Sequence, residues 1–231
     1  MHTRTGDNLI ERIRAHAADD AVVGPAANDL LSELFAGYPV DNLRRLLHSG
    51  DDAAVRTAAW ILSELGDGGA APLMDEVPAL LAHPARQVRF FAIEVVLMNA
   101  GDGDGPVIAQ AMELSRDYDA SVRWKALGFL ASAATDQLEA GAAALAAGPL
   151  RELAGWLVRQ DVEAPDADDV LARLQGRDPT ARLFAAAAAA RLAEEDPSLL
   201  RHAATAEDEE IRSFADLRLS DHDGEDAGAG Q

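Results

Sequence analysis

The residues that could bind a metal ion are scattered along this chain of 231 residues. Asp102, Asp104 and Glu113 match positions 1, 3 and 12 of a calcium-binding loop. However, Pro106 and Val107 stand where such a loop needs a ligand and a glycine, so this segment is predicted to be a turn between helices. The six histidines lie far apart, and none is three or four residues from another. No metal site is predicted.

Patterns for nucleophilic catalysis or nucleotide binding do not occur either. Cysteine is absent, which excludes thiol catalysis, disulfide bonds and cysteine-ligated zinc. The single lysine, Lys125, is followed by Ala126, so no phosphate-binding Gly-Lys-Ser/Thr motif exists. Neither Gly-x-Ser-x-Gly nor His-Glu-x-x-His is present. We therefore predict that the protein is not an enzyme and needs no cofactor.

Charge restricts the class of partner. The chain has 40 acidic and 20 basic residues and a formal net charge of −20. Such a charge repels phosphate backbones and anionic lipids, so nucleic acid is an unlikely partner and a protein with a basic or mixed-charge surface is expected. The 49 alanines, 25 aspartates and single lysine are typical of a halophilic archaeon or an actinobacterium.

The membrane and secretory patterns are missing from the sequence. No apolar run reaches the roughly 18 to 20 residues of a membrane span. The start of the chain lacks the basic and apolar regions of a secretory signal. A cytoplasmic location is therefore expected.

The elements that would position any site follow from an internal repeat. The pattern aliphatic–Arg–x–x–Ala recurs about every 30 residues, a period typical of stacked helical hairpins. Each period divides into two helical patterns separated by Gly, Asp or Pro, and no segment alternates like a strand. The fold class is therefore all-α, a right-handed α-solenoid of about six to seven hairpins. The repeated arginines, predicted to be structural, are Arg56, Arg89, Arg123, Arg151, Arg182 and Arg212.

The ends of the chain differ from the repeats. Residues 8–219 are predicted to form a single repeat domain, and residues 1–7 a disordered start. Residues 220–231 are acidic and glycine-rich, which predicts a disordered tail.

The segment Val55-Arg-Thr-Ala-Ala-Trp-Ile-Leu-Ser-Glu-Leu-Gly66 resembles HEAT-like repeats of the phycobilisome-lyase type. The resemblance implies that an Asp before the second helix of a hairpin bonds to an Arg of a neighbouring repeat. Asp52, Asp119 and Asp178 would take that role. Pro84 and Pro149 replace the Asp in two repeats, where the resemblance implies no such bond.

Aromatic and apolar residues on the second helices suggest a binding surface. Trp60 lies opposite the apolar face formed by Val55, Ala59 and Leu62, and later hairpins carry large residues near this position. Stacking would align them on the concave face, as an apolar row with an acidic rim. They could instead pack between repeats. The predicted partner-binding residues are Trp60, Glu64, Phe90, Ile93, Glu94, Leu97, Trp124, Leu127 and Trp156.

The repeats favour a non-catalytic function. The expected role is an interaction scaffold or signalling adaptor that holds another protein on its concave face. One alternative is an immunity or antitoxin-type inhibitor whose acidic surface covers a basic toxin or nuclease. Another is a lyase-like protein that handles a tetrapyrrole.

Overall fold

The computed structural model describes residues 2–163, 165–194 and 196–228. Throughout this part of the chain the regular structure is helical and contains no strands. Four short 3₁₀ helices cover Val40–Leu43, Ala71–Leu73, Asp102–Asp104 and Leu114–Arg116. The α-helices in the described ranges are α1 (His2–Ala15), α2 (Asp20–Phe35), α3 (Arg44–Leu47), α4 (Asp52–Glu64), α5 (Val77–Leu81), α6 (Arg86–Asn99), α7 (Gly105–Glu113), α8 (Ala120–Ser132), α9 (Thr135–Ala144), α10 (Pro149–Val162), α11 (Ala167–Leu174), α12 (Pro179–Arg191), α13 (Ser198–Ala203) and α14 (Glu209–Gly228).

Successive helices pack in pairs, from α1 with α2 to α13 with α14. Aspartates stand directly before several second helices, because a carboxylate can accept hydrogen bonds from the unpaired N–H groups of the first turn. Asp51 accepts from the N–H groups of Ala53 and Ala54 at the start of α4. Asp119 and Asp178 cap α8 and α12 in the same way. The chain divides into two compact units, Met1–Ala100 and Gly101–Gln231, whereas the repeat pattern predicts one domain over residues 8–219.

The second helices of the first unit pack in chain order. Helix α4 lies against both α2 and α6. Leu30 of α2, Ile61 of α4 and Val88 of α6 are completely buried. Burying a side chain of this size stabilises the folded state by roughly 1.5–3 kcal/mol, so the apolar faces of these helices hold the unit together.

Helix α1 is attached through a buried tyrosine. The Tyr38 hydroxyl donates to Asp7 of α1 at 2.9 Å, and Arg45 of α3 donates to the same carboxylate at 2.6 Å. A Cβ at Gly6 would lie 2.5 Å from the Tyr38 ring, so only glycine lets the ring pack this closely on α1. Helix α1 begins at His2, which corrects the disordered start predicted for residues 1–7; Met1 lies outside the described residues.

The centre of the second unit is the alanine-rich helix α12. It packs against α8, α10, α11, α13 and α14, and its residues 185–189, all alanine, are completely buried. Methyl side chains let surrounding helices approach closely, because the distance between helix axes depends on the side chains at the contact. Helix α8 therefore contacts α12 and α14, which belong to later hairpins. This packing departs from a linear solenoid, in which each repeat contacts only its neighbours.

Arg191, near the end of α12, joins three helices. Its guanidinium donates to both carboxylate oxygens of Asp161 in α10, at 2.9 and 2.7 Å. Its Nη1 donates to the carbonyls of Ala131 (3.2 Å) and Ala133 (2.8 Å) at the end of α8. The pKa of Asp161 is lowered, mainly by its hydrogen bond from Arg191. The ion pair therefore favours the charged form of Asp161.

Helices α7 and α9 form an unusually close contact. A Cβ at Gly141 of α9 would lie 2.5 Å from Ile108 Cγ2 and 2.8 Å from Met112 Cε. A Cβ at Gly105 would lie 2.9 Å from the Ala140 carbonyl oxygen. Glycine has no Cβ, so neither position carries the atom that would clash with the opposite helix.

The C-terminal helix extends further than predicted. Helix α14 continues to Gly228, so most of residues 220–231 are helical rather than a disordered tail, and residues 229–231 lie outside the described residues. None of the helices described is long and apolar enough to cross a membrane.

Candidate functional site

The first unit contains an open groove formed by the second helices of its three hairpins. It has a volume of about 380 Å³ and lies between α2, α4 and α6. We refer to it as the Trp60 groove. The residues that line it are Asp20, Val23, Gly24, Ala27, Asn28, Arg56, Thr57, Trp60, Gln87 and Phe91.

Helix α4 presents Trp60 to the groove because its opposite face is fixed in the core. Ala58, Ile61 and Leu62 are completely buried on α4. Trp60 is half-buried, with the rest of its side chain accessible in the groove. A half-buried indole combines a large apolar surface with few rotatable bonds, which suits it to contact a partner.

Helix α2 supplies a floor of small residues. Ala27 is buried, and Gly24 lies one turn before it. A Cβ at Gly24 would meet no described atom within 4 Å, so the space above this backbone is open. The Asn28 amide Nδ2 donates to the Gly24 carbonyl at 2.9 Å. The groove is therefore open beside Gly24, and a larger side chain at this position would partly fill it.

Acidic groups lie at both ends of the accessible face of α4. Arg56, one turn before Trp60, donates to Asp20 of α2 at 3.0 Å, and the Asp20 side chain is 85% exposed. Glu64, one turn after Trp60, is exposed. Residues four apart on a helix share a face, so Trp60 lies between a charge pair and a carboxylate.

The third helix contributes Phe91 to the wall of the groove. Phe91 packs edge-to-face on Phe90, with ring centroids 5.7 Å apart and an interplanar angle of 90°. The sequence predicts Phe90 as the binding residue, and Phe91 was missed. Both rings are half-buried, and Phe91 is the one that lines the groove. The signal in the sequence was the Phe-Phe pair, since adjacent residues of a helix point about 100° apart and the second ring therefore faces a different direction from the first.

The other residues predicted on α6 have different environments. Glu94 and Leu97 are half-buried. Ile93 is completely buried, which corrects its predicted place on a binding surface. Counted from the repeated arginine, Ile93 is the equivalent of Trp60, but its aliphatic side chain is enclosed in the core of the unit.

The residues predicted in the second unit are mainly internal. Leu127 is completely buried and Trp156 is 4% exposed, so neither presents a binding surface, which corrects both predictions. Trp156 donates its indole N–H to Asp169 at 2.6 Å, and the Arg173 guanidinium lies 4.5 Å from the centre of its ring. The neighbouring helix α11 therefore covers it.

Trp124 packs on the C-terminal helix. Its ring lies 6.5 Å from that of Phe214, in an edge-to-face arrangement, and Trp124 is half-buried. Trp60 is four residues after its repeat arginine, whereas Trp124 is one residue after its own and Trp156 five. The predicted row therefore combined positions that face different directions on a helix.

Five of the six repeated arginines bond to the backbone in a shared geometry, and Arg56 donates to the Asp20 carboxylate. Arg89, Arg123, Arg182 and Arg212 each donate from Nη1 to the carbonyl six residues earlier, at 2.8 to 2.9 Å. Arg151 makes the corresponding contact at 3.5 Å. These bonds close the turn between the two helices of a hairpin. Such bonds are what is expected if these arginines stabilise the fold.

Two of these arginines also bind carboxylates of the last hairpin. Arg182 lies 2.6 Å from Asp208, and Arg123 lies 2.7 Å from Glu210. The hydrogen bond from Arg182 lowers the pKa of Asp208. Two pockets of the second unit, each of about 340 to 370 Å³, lie beside these ion pairs. Because Asp208 and Glu210 already hold arginines, these pockets present charges that are compensated within the chain.

The remaining predicted aspartates make one contact to the next hairpin and one within a turn. Asp51, not Asp52, caps α4, and Asp52 lies 3.6 Å from the His83 ring. Asp104 accepts from the Gly101 N–H at 2.8 Å, which fits the predicted turn. No cluster of three metal-binding side chains occurs among the residues described.

Comparisons of this chain with protein-family models, with characterised proteins and with solved structures gave no match.

Proposed function

We propose that the chain is a non-catalytic interaction scaffold that holds a segment of another protein in the Trp60 groove. The observation that carries this proposal is the open groove itself, with Trp60 and Phe91 in its walls and Gly24 on its floor. Large aromatic side chains at accessible positions are typical of the residues that dominate binding energy in protein interfaces. A concave, mainly apolar surface with a few polar groups is typical of a binding site.

The HEAT-like resemblance supports the same function. In that class of repeat the second helices of successive hairpins line a binding face, and α2, α4 and α6 pack in chain order in the first unit. The resemblance is to an architecture that serves many functions, so the groove and not the fold carries the proposal.

Selection from a random peptide library tests this function. Peptides displayed on phage are selected on the parent protein and counter-selected on the Trp60→Ala variant. Tyr118→Ala is the matched control, because Tyr118 is a 78% exposed aromatic residue in the other unit. We expect peptides that bind the parent and the control equally and bind Trp60→Ala at least about tenfold more weakly. A library that yields only peptides insensitive to Trp60 would contradict the proposal.

A second candidate is an inhibitor that covers the basic surface of a toxin or nuclease. The net charge of −20 favours it, because opposite charges speed encounter and select the partner. Inhibition of a basic nuclease at stoichiometric concentration, lost when the Trp60 groove is altered, would support this narrower function.

A further inference from the structure

We propose that the occupant of the Trp60 groove is a basic segment of a partner protein, with one large apolar side chain seated over Gly24. This inference depends on the proposed function and specifies the chemistry of the partner. It follows from three features of the groove: the open space at its floor, the aromatic side chains in its walls and the sign of the charges at its rim.

The open space defines the apolar part of the partner. Gly24 lies before Pro25 inside α2, and a residue without Cβ relieves the crowding between a proline ring and the residue before it. That explains why glycine is tolerated in the helix. Gly24 is half-exposed, and no described side chain lies within 4 Å of the position that its Cβ would take, so the space above it is open. Gly24, Ala27 and Thr57 line a groove of about 380 Å³, which has room for a leucine- or phenylalanine-sized side chain.

The charges define the polar part. Arg56 is the one basic residue among those that line the groove, and it already binds Asp20. That pair offsets both charges, whereas two further carboxylates are exposed: Glu64, one turn after Trp60 on α4, and Asp29, next to the lining residue Asn28 on α2. An acidic segment would be repelled by Asp29, Glu64 and the net charge of the chain, whereas a lysine or arginine beside the inserted apolar side chain would be attracted by them.

The test uses a fluorescein-labelled peptide of about 14 residues, built from leucine and lysine with the leucines on one helical face. Two matched peptides replace every lysine by glutamate or every leucine by serine. Fluorescence anisotropy gives the Kd of each. We expect the leucine–lysine peptide to bind, the glutamate peptide not to bind, and the serine peptide to bind at least about tenfold more weakly, because it lacks the apolar side chain.

Variants of the protein then locate the site. Gly24→Leu fills the floor and Trp60→Ala removes the wall, and each should raise the Kd about tenfold. Glu64→Gln should raise it by about two- to threefold, whereas Glu139→Gln, an exposed glutamate of α9, should leave it unchanged. Thermal unfolding checks that each variant folds. If Gly24→Leu does not fold, Asn28→Trp closes the same groove from an exposed position on its rim.

The outcomes separate this inference from the function on which it depends. Equal binding of the leucine–lysine peptide to the parent, Gly24→Leu and Trp60→Ala would overturn the inference, because attraction to the net charge alone would then explain the binding. If the library instead yields acidic peptides that depend on Trp60, the scaffold function stands and the basic partner is wrong. If no selected peptide depends on Trp60, the scaffold function itself fails.

Discussion

Arg89 shows how a single repeated residue stabilises a hairpin. It is 4% exposed, and its Nη1 donates to the carbonyls of His83 at 2.8 Å and Pro84 at 2.9 Å. We expect Arg89→Ala to lower the free energy of unfolding by about 1–3 kcal/mol, because both carbonyls lose a charged donor. Urea denaturation measures the change.

Arg151→Ala is the matched control for this prediction. Arg151 is exposed, and its equivalent bond is 3.5 Å long. Its loss should lower the stability much less. Equal effects of the two substitutions would show that burial and backbone bonding do not determine the contribution of the repeated arginine.

The buried environment of Tyr38 predicts that the stability of the protein falls at alkaline pH. Burial, together with the hydrogen bond to Asp7, raises its pKa to about 12. Because the pKa of an unfolded tyrosine is about 10, its contribution to stability is complete below pH 10 and is lost as the pH rises towards 12. The chain has two tyrosines, so the Tyr118→Phe variant leaves Tyr38 as the reporter. Its tyrosinate absorbance should titrate near 12, and a midpoint near 10 would contradict the buried geometry.

At the scale of the element, the contact of α7 with α9 depends on a missing methyl group. A Cβ at Gly141 would lie 2.5 Å from Ile108, whereas a Cβ at Gly128 in α8 would meet no described atom within 4 Å. Alanine is favoured over glycine by about 1 kcal/mol inside a helix. We therefore expect Gly128→Ala to raise the melting temperature and Gly141→Ala to lower it. The same sign of change for both would mean that α7 and α9 can move apart at little cost.

The helices were largely predictable from the sequence, because local chemistry sets their ends. Helix α4 was expected over about residues 53–65 and covers Asp52–Glu64, since Asp51 and Gly66 flank it. The central position of α12 was not predictable in this way. Its alanines indicate a helix, but only the tertiary packing shows that five other helices surround it.

The exposure of the proposed binding residues was predictable only in part, for a related reason. A helical wheel identifies which side of α4 carries Trp60, and the structure places that residue in the groove. The same reasoning failed for Trp156, because Asp169 and Arg173 of the next helix cover its ring. A wheel describes one helix, whereas exposure depends on what packs against it.

At the scale of the whole molecule, the proposed function combines a net charge of −20, which would attract a partner, with an open apolar groove, which would hold it. Charge acts over distances of about 10 Å at ordinary salt and speeds encounter with a basic partner. The groove then supplies the short-range contacts. Raising the salt concentration should therefore weaken the attraction more than it weakens the apolar contact.

The indole N–H signals of the three tryptophans test the binding role of the groove most directly. They are resolved in a ¹H–¹⁵N correlation spectrum and assigned with the Trp60→Phe variant. On titration with the leucine–lysine peptide, the Trp60 signal should shift and saturate, while the signals of Trp124 and Trp156, packed on other helices of the second unit, should stay in place. A Trp60 signal that does not move at saturating peptide would contradict a binding site in this groove.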